Sequence, residues 1–375
     1  MMNMADDQAM FPQHIRALKP YVPGLPMEQV ARRLNLPVTQ IAKLASNENP
    51  LGASPLALLA LAEQPIDPSR YPDADCADLT HALAAHLEVP ADWVVAGAGS
   101  ESVLGMAASM LLTPGRTAVY SQYSFQAFVN AAQRVGATSR VVPSPRFTVD
   151  LKGLADAIGP DTSLVYIANP GNPTGTWLEP EAVEAFLERV PSQVAVLLDE
   201  AYREYMPPER RGDSVAWLRR HPNLIVARTF SKAYGLAGLR AGYGIAQPHF
   251  ADVMRRLRAP FSVTQSAQVA AVAALADTDF LERTADANRQ GLAQLGAALQ
   301  RMGIEALPSS ANFVLARVGD GVDMAQRLQR HGLIVRPVAN YGLAEWARLS
   351  VGRSDENARL IEALHMERHA LRAQK

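Results

Sequence analysis

Five short apolar runs in the sequence each end in residues that could do chemistry. The run at 94–96 is followed by Gly97-Ala98-Gly99-Ser100-Glu101, and the run at 117–120 by Ser121-Gln122-Tyr123-Ser124. The run at 164–168 leads into Asn169-Pro170-Gly171-Asn172-Pro173-Thr174-Gly175. Those at 194–198 and 224–227 lead into Asp199-Glu200-Ala201-Tyr202 and Arg228-Thr229-Phe230-Ser231-Lys232. The first end is a small-residue turn feeding a helix, where unpaired N–H groups and a positive dipole suit a phosphate. Asp199 follows apolar residues directly, and a carboxylate buried there needs a partner. Lys232 supplies an amine, Tyr123 an aromatic plate, Asn169 an amide and Tyr202 a phenol.

Taken singly, each feature has a plain reading: a helix cap at Gly99-Ser100, an N-cap at Asp199, a surface lysine at Lys232. Together they meet one demand. Pyridoxal phosphate needs an amine for its aldehyde, an acid for its pyridine nitrogen and a cup for its phosphate.

The elements that must bring these groups together can be read from periodicity. Short apolar runs alternate with helical patterns at 101–112, 125–135 and 181–189, which predicts an α/β unit with a mostly parallel sheet. Ligands of such sheets bind beyond the carboxyl ends of the strands, where all five clusters fall. Residues 1–45 read as an arm, with prolines at 20, 23 and 26 and a short helix at 27–34, packing on the smaller domain. Residues 46–275 read as the large domain. After about 275 a long helical stretch at 277–302 leads into apolar runs at 313–316, 333–336 and 348–351 and a terminal helix at 355–371. This predicts a smaller α+β domain over 276–375.

Composition narrows the class. The chain has 375 residues, 48% of them hydrophobic, and a formal net charge of −1, so neither nucleic acid nor an acidic membrane is an expected partner. The cluster Arg255, Arg256 and Arg258 reads as a solvated helix face. A single cysteine, Cys76, allows no internal disulfide and fits a reducing cytoplasm. No signal-peptide pattern is seen, the most apolar windows are too short to span a bilayer, and no metal is expected.

The motifs Ser46-Asn47-Glu48-Asn49-Pro50-Leu51-Gly52, Arg70-Tyr71-Pro72-Asp73, the Asn169 to Gly175 run, Asp199-Glu200-Ala201-Tyr202 and Ser231-Lys232-Ala233-Tyr234-Gly235-Leu236-Ala237-Gly238-Leu239-Arg240 occur in this order. With them the chain resembles the fold-type I pyridoxal-phosphate enzymes, and within these the class II aminotransferases of the histidinol-phosphate aminotransferase group. The resemblance runs from Tyr21 to the last helix. It implies a large domain with a seven-stranded, mostly parallel sheet between helices, a small C-terminal domain, and a homodimer with shared sites.

It also implies roles. Lys232 would hold the cofactor aldehyde as an imine and then move the proton. Asp199 would pair with the pyridine nitrogen, Tyr202 and Asn169 would bond the ring oxygen, and Tyr123 would stack on the ring. Gly99, Ser100, Glu101, Thr229, Ser231 and Arg240 would hold the cofactor and its phosphate, with Tyr71 reaching the neighbouring subunit's. Tyr21, Asn49, Arg336 and Arg348 would bind substrate, two arginines suiting a dianionic phosphate. The sequence departs from the family's usual pattern at Glu101, at Gly171 and before Tyr123, which lacks the usual proline.

The implied reaction transfers an amino group from L-histidinol phosphate to 2-oxoglutarate, giving glutamate, in histidine biosynthesis. An aromatic amino-acid aminotransferase is the nearest alternative, and a decarboxylase resembling threonine-phosphate decarboxylase a further one. A DNA-binding regulator of this fold would need a helix-turn-helix that the 45-residue arm does not display.

Overall fold

The structure is a computed structural model and describes residues 10–18 and 24–373. Seven strands form its larger sheet: β2 (Val94–Gly97), β3 (Thr117–Ser121), β4 (Thr138–Val142), β5 (Thr162–Ala168), β6 (Ala195–Asp199), β7 (Leu224–Thr229) and β8 (Gly242–Ala246). Their order is β2-β8-β7-β6-β5-β3-β4. All neighbours pair in parallel except β8, which runs antiparallel to both β7 and β2.

The central strands are apolar through their middles, with polar residues only toward their ends, because both faces are covered. Val165, Ile167, Val196 and Leu198 face the helices Ala77–Leu87, Pro180–Arg189 and Gln265–Leu275. Leu164, Tyr166, Ala195 and Leu197 face the helices Ser100–Leu111, Gln126–Arg134 and Pro248–Leu257 on the other side. This period-two division carries Asp199, the last residue of β6, onto the same side as Tyr166.

Two strands escape the apolar-run reading. β4 is an edge strand whose Thr138, Ser139 and Val141 are exposed, so its pattern is mixed. β8 is Gly242-Tyr243-Gly244-Ile245-Ala246, and its glycines make room for the first helix of the site. A Cβ on Gly242 would lie 2.5 Å from the backbone nitrogen of Ser100, and one on Gly244 would lie 2.9 Å from Val103.

A second sheet has the order β1-β10-β11-β9, with β1 (Ala42–Leu44), β9 (Phe313–Arg317), β10 (Leu333–Val338) and β11 (Leu343–Ser350). Leu295 and Leu299 from the helix Thr278–Arg301 and Leu360 and Leu364 from the helix Ser354–Ala373 bury its outer face. The end of the predicted arm is thus itself a strand, β1, paired in parallel with β10. Among the described residues no helix is long and apolar enough to cross a membrane.

Gly242→Ala forces β8 away from the turn at Gly99-Ser100. Overpacking of this kind costs about 1–3 kcal/mol. Urea unfolding of the variant should show that loss; unchanged stability would mean that the strand and the turn can part freely.

Candidate functional site

A cavity of about 250 Å³ opens where the carboxyl ends of the parallel strands face the second sheet. Lys232, Asp199, Tyr202, Thr229, Ser231, Arg240, Ser100 and Glu101 all line it, as do Arg336 and Arg348.

Asp199 sits at one end, 4% exposed. Its carboxylate accepts from the Tyr166 hydroxyl at 2.9 Å and from the Ala201 N–H at 3.1 Å. Burial pushes its pKa up to about 6 against the pull of those two bonds. At the other side, the Lys232 ammonium donates to the Ser46 carbonyl at 2.9 Å. Lys232 keeps some exposure through the cavity mouth, yet loss of solvent, with Arg348 and Arg240 nearby, brings its pKa down to about 7. Both shifts disfavour the charged form, as expected for groups facing a partly dry cavity.

The helix Ser100–Leu111 begins at Gly99, which has a positive φ of 82°. That φ favours glycine, and an added Cβ would stand 2.6 Å from the Arg240 guanidinium, which would have to shift. Arg240 itself donates to the Ser231 hydroxyl at 3.1 Å. Free helix-start N–H groups, a guanidinium and a hydroxyl therefore surround one small hollow, a donor set for a dianionic phosphate. Thr229 braces this corner, its hydroxyl accepting from the Ser231 N–H at 3.1 Å.

The Tyr202 oxygen accepts from two side-chain amides, Asn47 at 2.9 Å and Asn172 at 3.3 Å. Burial raises this phenol to about 12, so it stays protonated. Asn172 in turn accepts from Arg348 at 2.6 Å, and Arg348 also donates to the Ala45 carbonyl at 2.6 Å. Arg336 and Arg348 are direct cross-strand partners of β10 and β11, so both guanidinium groups enter from one face of the second sheet.

Three residues expected in this chain's site, Asn169, Asn49 and Tyr123, stand elsewhere, and Tyr71, expected to serve a neighbouring subunit, lies outside the cavity. Asn169 spends its amide on the backbone of Leu178, accepting at 2.9 Å and donating at 3.3 Å, and Asn172 reaches the cavity instead. Asn49 donates to the Ala233 carbonyl and the Thr284 hydroxyl and braces the loop, while Asn47 and Glu48 line the cavity. Tyr123 stacks on Phe147 with ring centres 5.4 Å apart, and Phe125, two residues on, lines the cavity instead. Tyr71 is 81% exposed and stacks on Phe261, away from this chain's cavity. Tyr21 lies outside the described residues. Asn172 and Asn47 each sit within a motif already noted, but which asparagine of each run faces inward depends on loop geometry.

The residues present fit pyridoxal phosphate: a buried acid, a depressed amine, a phosphate hollow and a phenol surround one space. The family model for class I and II aminotransferases matches residues 39–364. The chain belongs to that family. This aminotransferase is 52% identical to histidinol-phosphate aminotransferase 2 of Ralstonia nicotianae over 94% of this chain and 96% of the relative. It is 51% identical to histidinol-phosphate aminotransferase 1 of Cupriavidus pinatubonensis over 94% and 95%. Among solved structures, histidinol-phosphate aminotransferase of Sinorhizobium meliloti in complex with pyridoxal-5'-phosphate superposes with a TM-score of 0.87 at 32% identity, covering 96% of this chain and 98% of that one. Aspartate aminotransferase of Thermus thermophilus shares the fold, with a TM-score of 0.81 at 22% identity over 95% and 98%.

The lysine shift has a sign that can be tested in the cofactor-free aminotransferase. Between the folded value of about 7 and the ordinary 10.5, the unfolded chain binds a proton at Lys232 that the folded chain does not. Stability therefore rises with pH through that window. Denaturant melts should show this rise in the parent and its loss in Lys232→Met; equal pH slopes would mean that the amine titrates normally.

Proposed function

We propose that this protein is an L-histidinol-phosphate:2-oxoglutarate aminotransferase of histidine biosynthesis. It works with pyridoxal 5'-phosphate. The observation that carries the substrate reading is the Arg336–Arg348 pair, in register across β10 and β11 at the cavity. One arginine suffices for a carboxylate, and two forks suit a phosphate dianion. The relatives of about half identity bear the name of this reaction.

The bound cofactor supplies an electron sink for the pair of electrons left when the substrate carbon loses its proton. The chain's own residues do the rest. Lys232, with its pKa near 7, is an amine that can take a proton and return it at neutral pH. Asp199, buried at the cavity and held by Tyr166 and the Ala201 N–H, would pair with a protonated ring nitrogen. Tyr202 would offer its proton to a ring oxygen. Ser100, Glu101, Ser231 and Arg240 would hold the phosphate, and Arg336 and Arg348 would orient the substrate's anionic end, with Phe125 also lining the cavity.

The working unit in this reading is a homodimer in the cytoplasm. The exposed Tyr71–Phe261 stack, with Leu56, Leu58 and Leu59 exposed on the helix Pro55–Glu63, offers a second copy an apolar face. Tyr71 would cross it to the partner's phosphate hollow.

Lys232→Ala should remove the absorbance of the lysine-linked cofactor and lower turnover by more than about 10³-fold; retained turnover would sink the assignment. Mixing the loaded enzyme separately with L-histidinol phosphate and L-phenylalanine tests the substrate. Single-turnover loss of the band should be far faster with histidinol phosphate, and equal or faster loss with phenylalanine would make the protein an aromatic aminotransferase. Arg336→Ala should raise KM for histidinol phosphate by roughly 10- to 100-fold, the loss of charge-assisted bonds, with kcat less affected. An unchanged KM would leave Arg336 without its proposed task.

A further inference from the structure

We infer that Asn47, locked by Ser350, is a positioning residue that forces Tyr202 to act as a hydrogen-bond donor toward the cofactor. The inference rests on the cofactor reading above and adds two residues to it.

The direction of each bond follows from counting donors. The Ser350 hydroxyl accepts from the Asn47 N–H at 3.0 Å, so its own proton is free to be given, and it lies 2.7 Å from the Asn47 side-chain oxygen. A hydroxyl carries one proton and an amide oxygen carries none, so Ser350 donates to that oxygen and holds the amide in this orientation. This leaves the Asn47 NH₂ aimed at the Tyr202 oxygen, 2.9 Å away. Asn172 donates to the same oxygen at 3.3 Å. Two amide donors fill both lone pairs of a protonated phenol, and the phenol's proton is then the one thing it has left to offer.

The surroundings hold Asn47 in place. It is 1% exposed, and its backbone is left-handed with φ of 55°, a conformation asparagine tolerates better than most residues. Its carbonyl accepts from Asn312 at 3.0 Å, and Asn312 also donates to the Tyr205 hydroxyl at 3.3 Å. Ser350 lies on β11 two residues beyond Arg348, and both side chains stand on one face of that strand. The strand that carries a substrate-binding arginine thus also sets the donor direction of the phenol.

A donor to the cofactor's ring oxygen stabilises negative charge there and lowers the pH at which the lysine-linked cofactor loses its proton. Without Asn47 the phenol can rotate its proton elsewhere. The test is the pH titration of the lysine-linked absorbance band in the loaded parent, Asn47→Gly, Ser350→Ala and Ser350→Thr. Glycine keeps the left-handed backbone accessible. Asn47→Gly should raise the midpoint by about 0.5–1 pH unit, part of one charge-assisted hydrogen bond. Ser350→Ala should raise it less, since the amide is then free to turn, and Ser350→Thr should restore the parent value because the hydroxyl returns. A purely structural role would lower thermal stability and leave the midpoint where it was. An unmoved midpoint in Asn47→Gly overturns the inference, and if that variant does not fold, an unmoved midpoint in Ser350→Ala does so. A parent with no band at all overturns the cofactor reading itself, a different outcome from a band that fails to shift.

Discussion

Asp199 is a carboxylate held out of water at the end of a strand, bonded by one hydroxyl and one N–H, with the Lys232 charge pulling on it only weakly against burial. A buried charge in that state is costly, which is why its pKa sits near 6. Much of the fold around it makes sense as a way of keeping this acid dry yet reachable. β6 is flanked by strands on both sides, and Tyr166 from β5 fixes the carboxylate from the sheet's covered face. Only the cavity side is left open, so a cation that enters there meets an acid already oriented.

The same economy shapes the opposite wall. Lys232 lies among arginines that discourage its protonation, so the neutral amine is available to react at ordinary pH. Arg240 closes the phosphate hollow against Gly99, and the glycines of β8 let the helix start sit close enough to serve it. Arg348 is held by Asn172 and the Ala45 carbonyl. The second sheet thereby delivers its cationic groups to the large sheet's strand ends. Each device answers the same problem, the placement of charge in a space with little water.

How much of this could be read beforehand differs residue by residue. Strands buried on both faces announce themselves, and the residues directly after them, Asp199, Ser231 and Lys232, are placed by the strand itself. β4 and β8 were hidden, one by its exposed edge and the other by glycines whose value lies in what they allow to approach. In loops the reading failed by small steps. Asn169 continues from β5 and turns back to Leu178, while Asn172, three residues on, faces the cavity. Asn47 and Asn49 differ in the same way, as do Tyr123 and Phe125. Residue type and motif survive such a comparison, but the direction of a side chain in a turn depends on contacts made hundreds of residues away, such as Ser350 on Asn47.

The most direct test of the account is the affinity of cofactor-free protein for pyridoxal phosphate in the parent and in Asp199→Asn, followed by the growth of the absorbance band. Asparagine keeps the shape and removes the charge. The account predicts binding weaker by at least about tenfold, the loss of one charge-assisted hydrogen bond. Equal affinity in the two proteins would contradict it, because the buried carboxylate would then have no part in holding the cofactor.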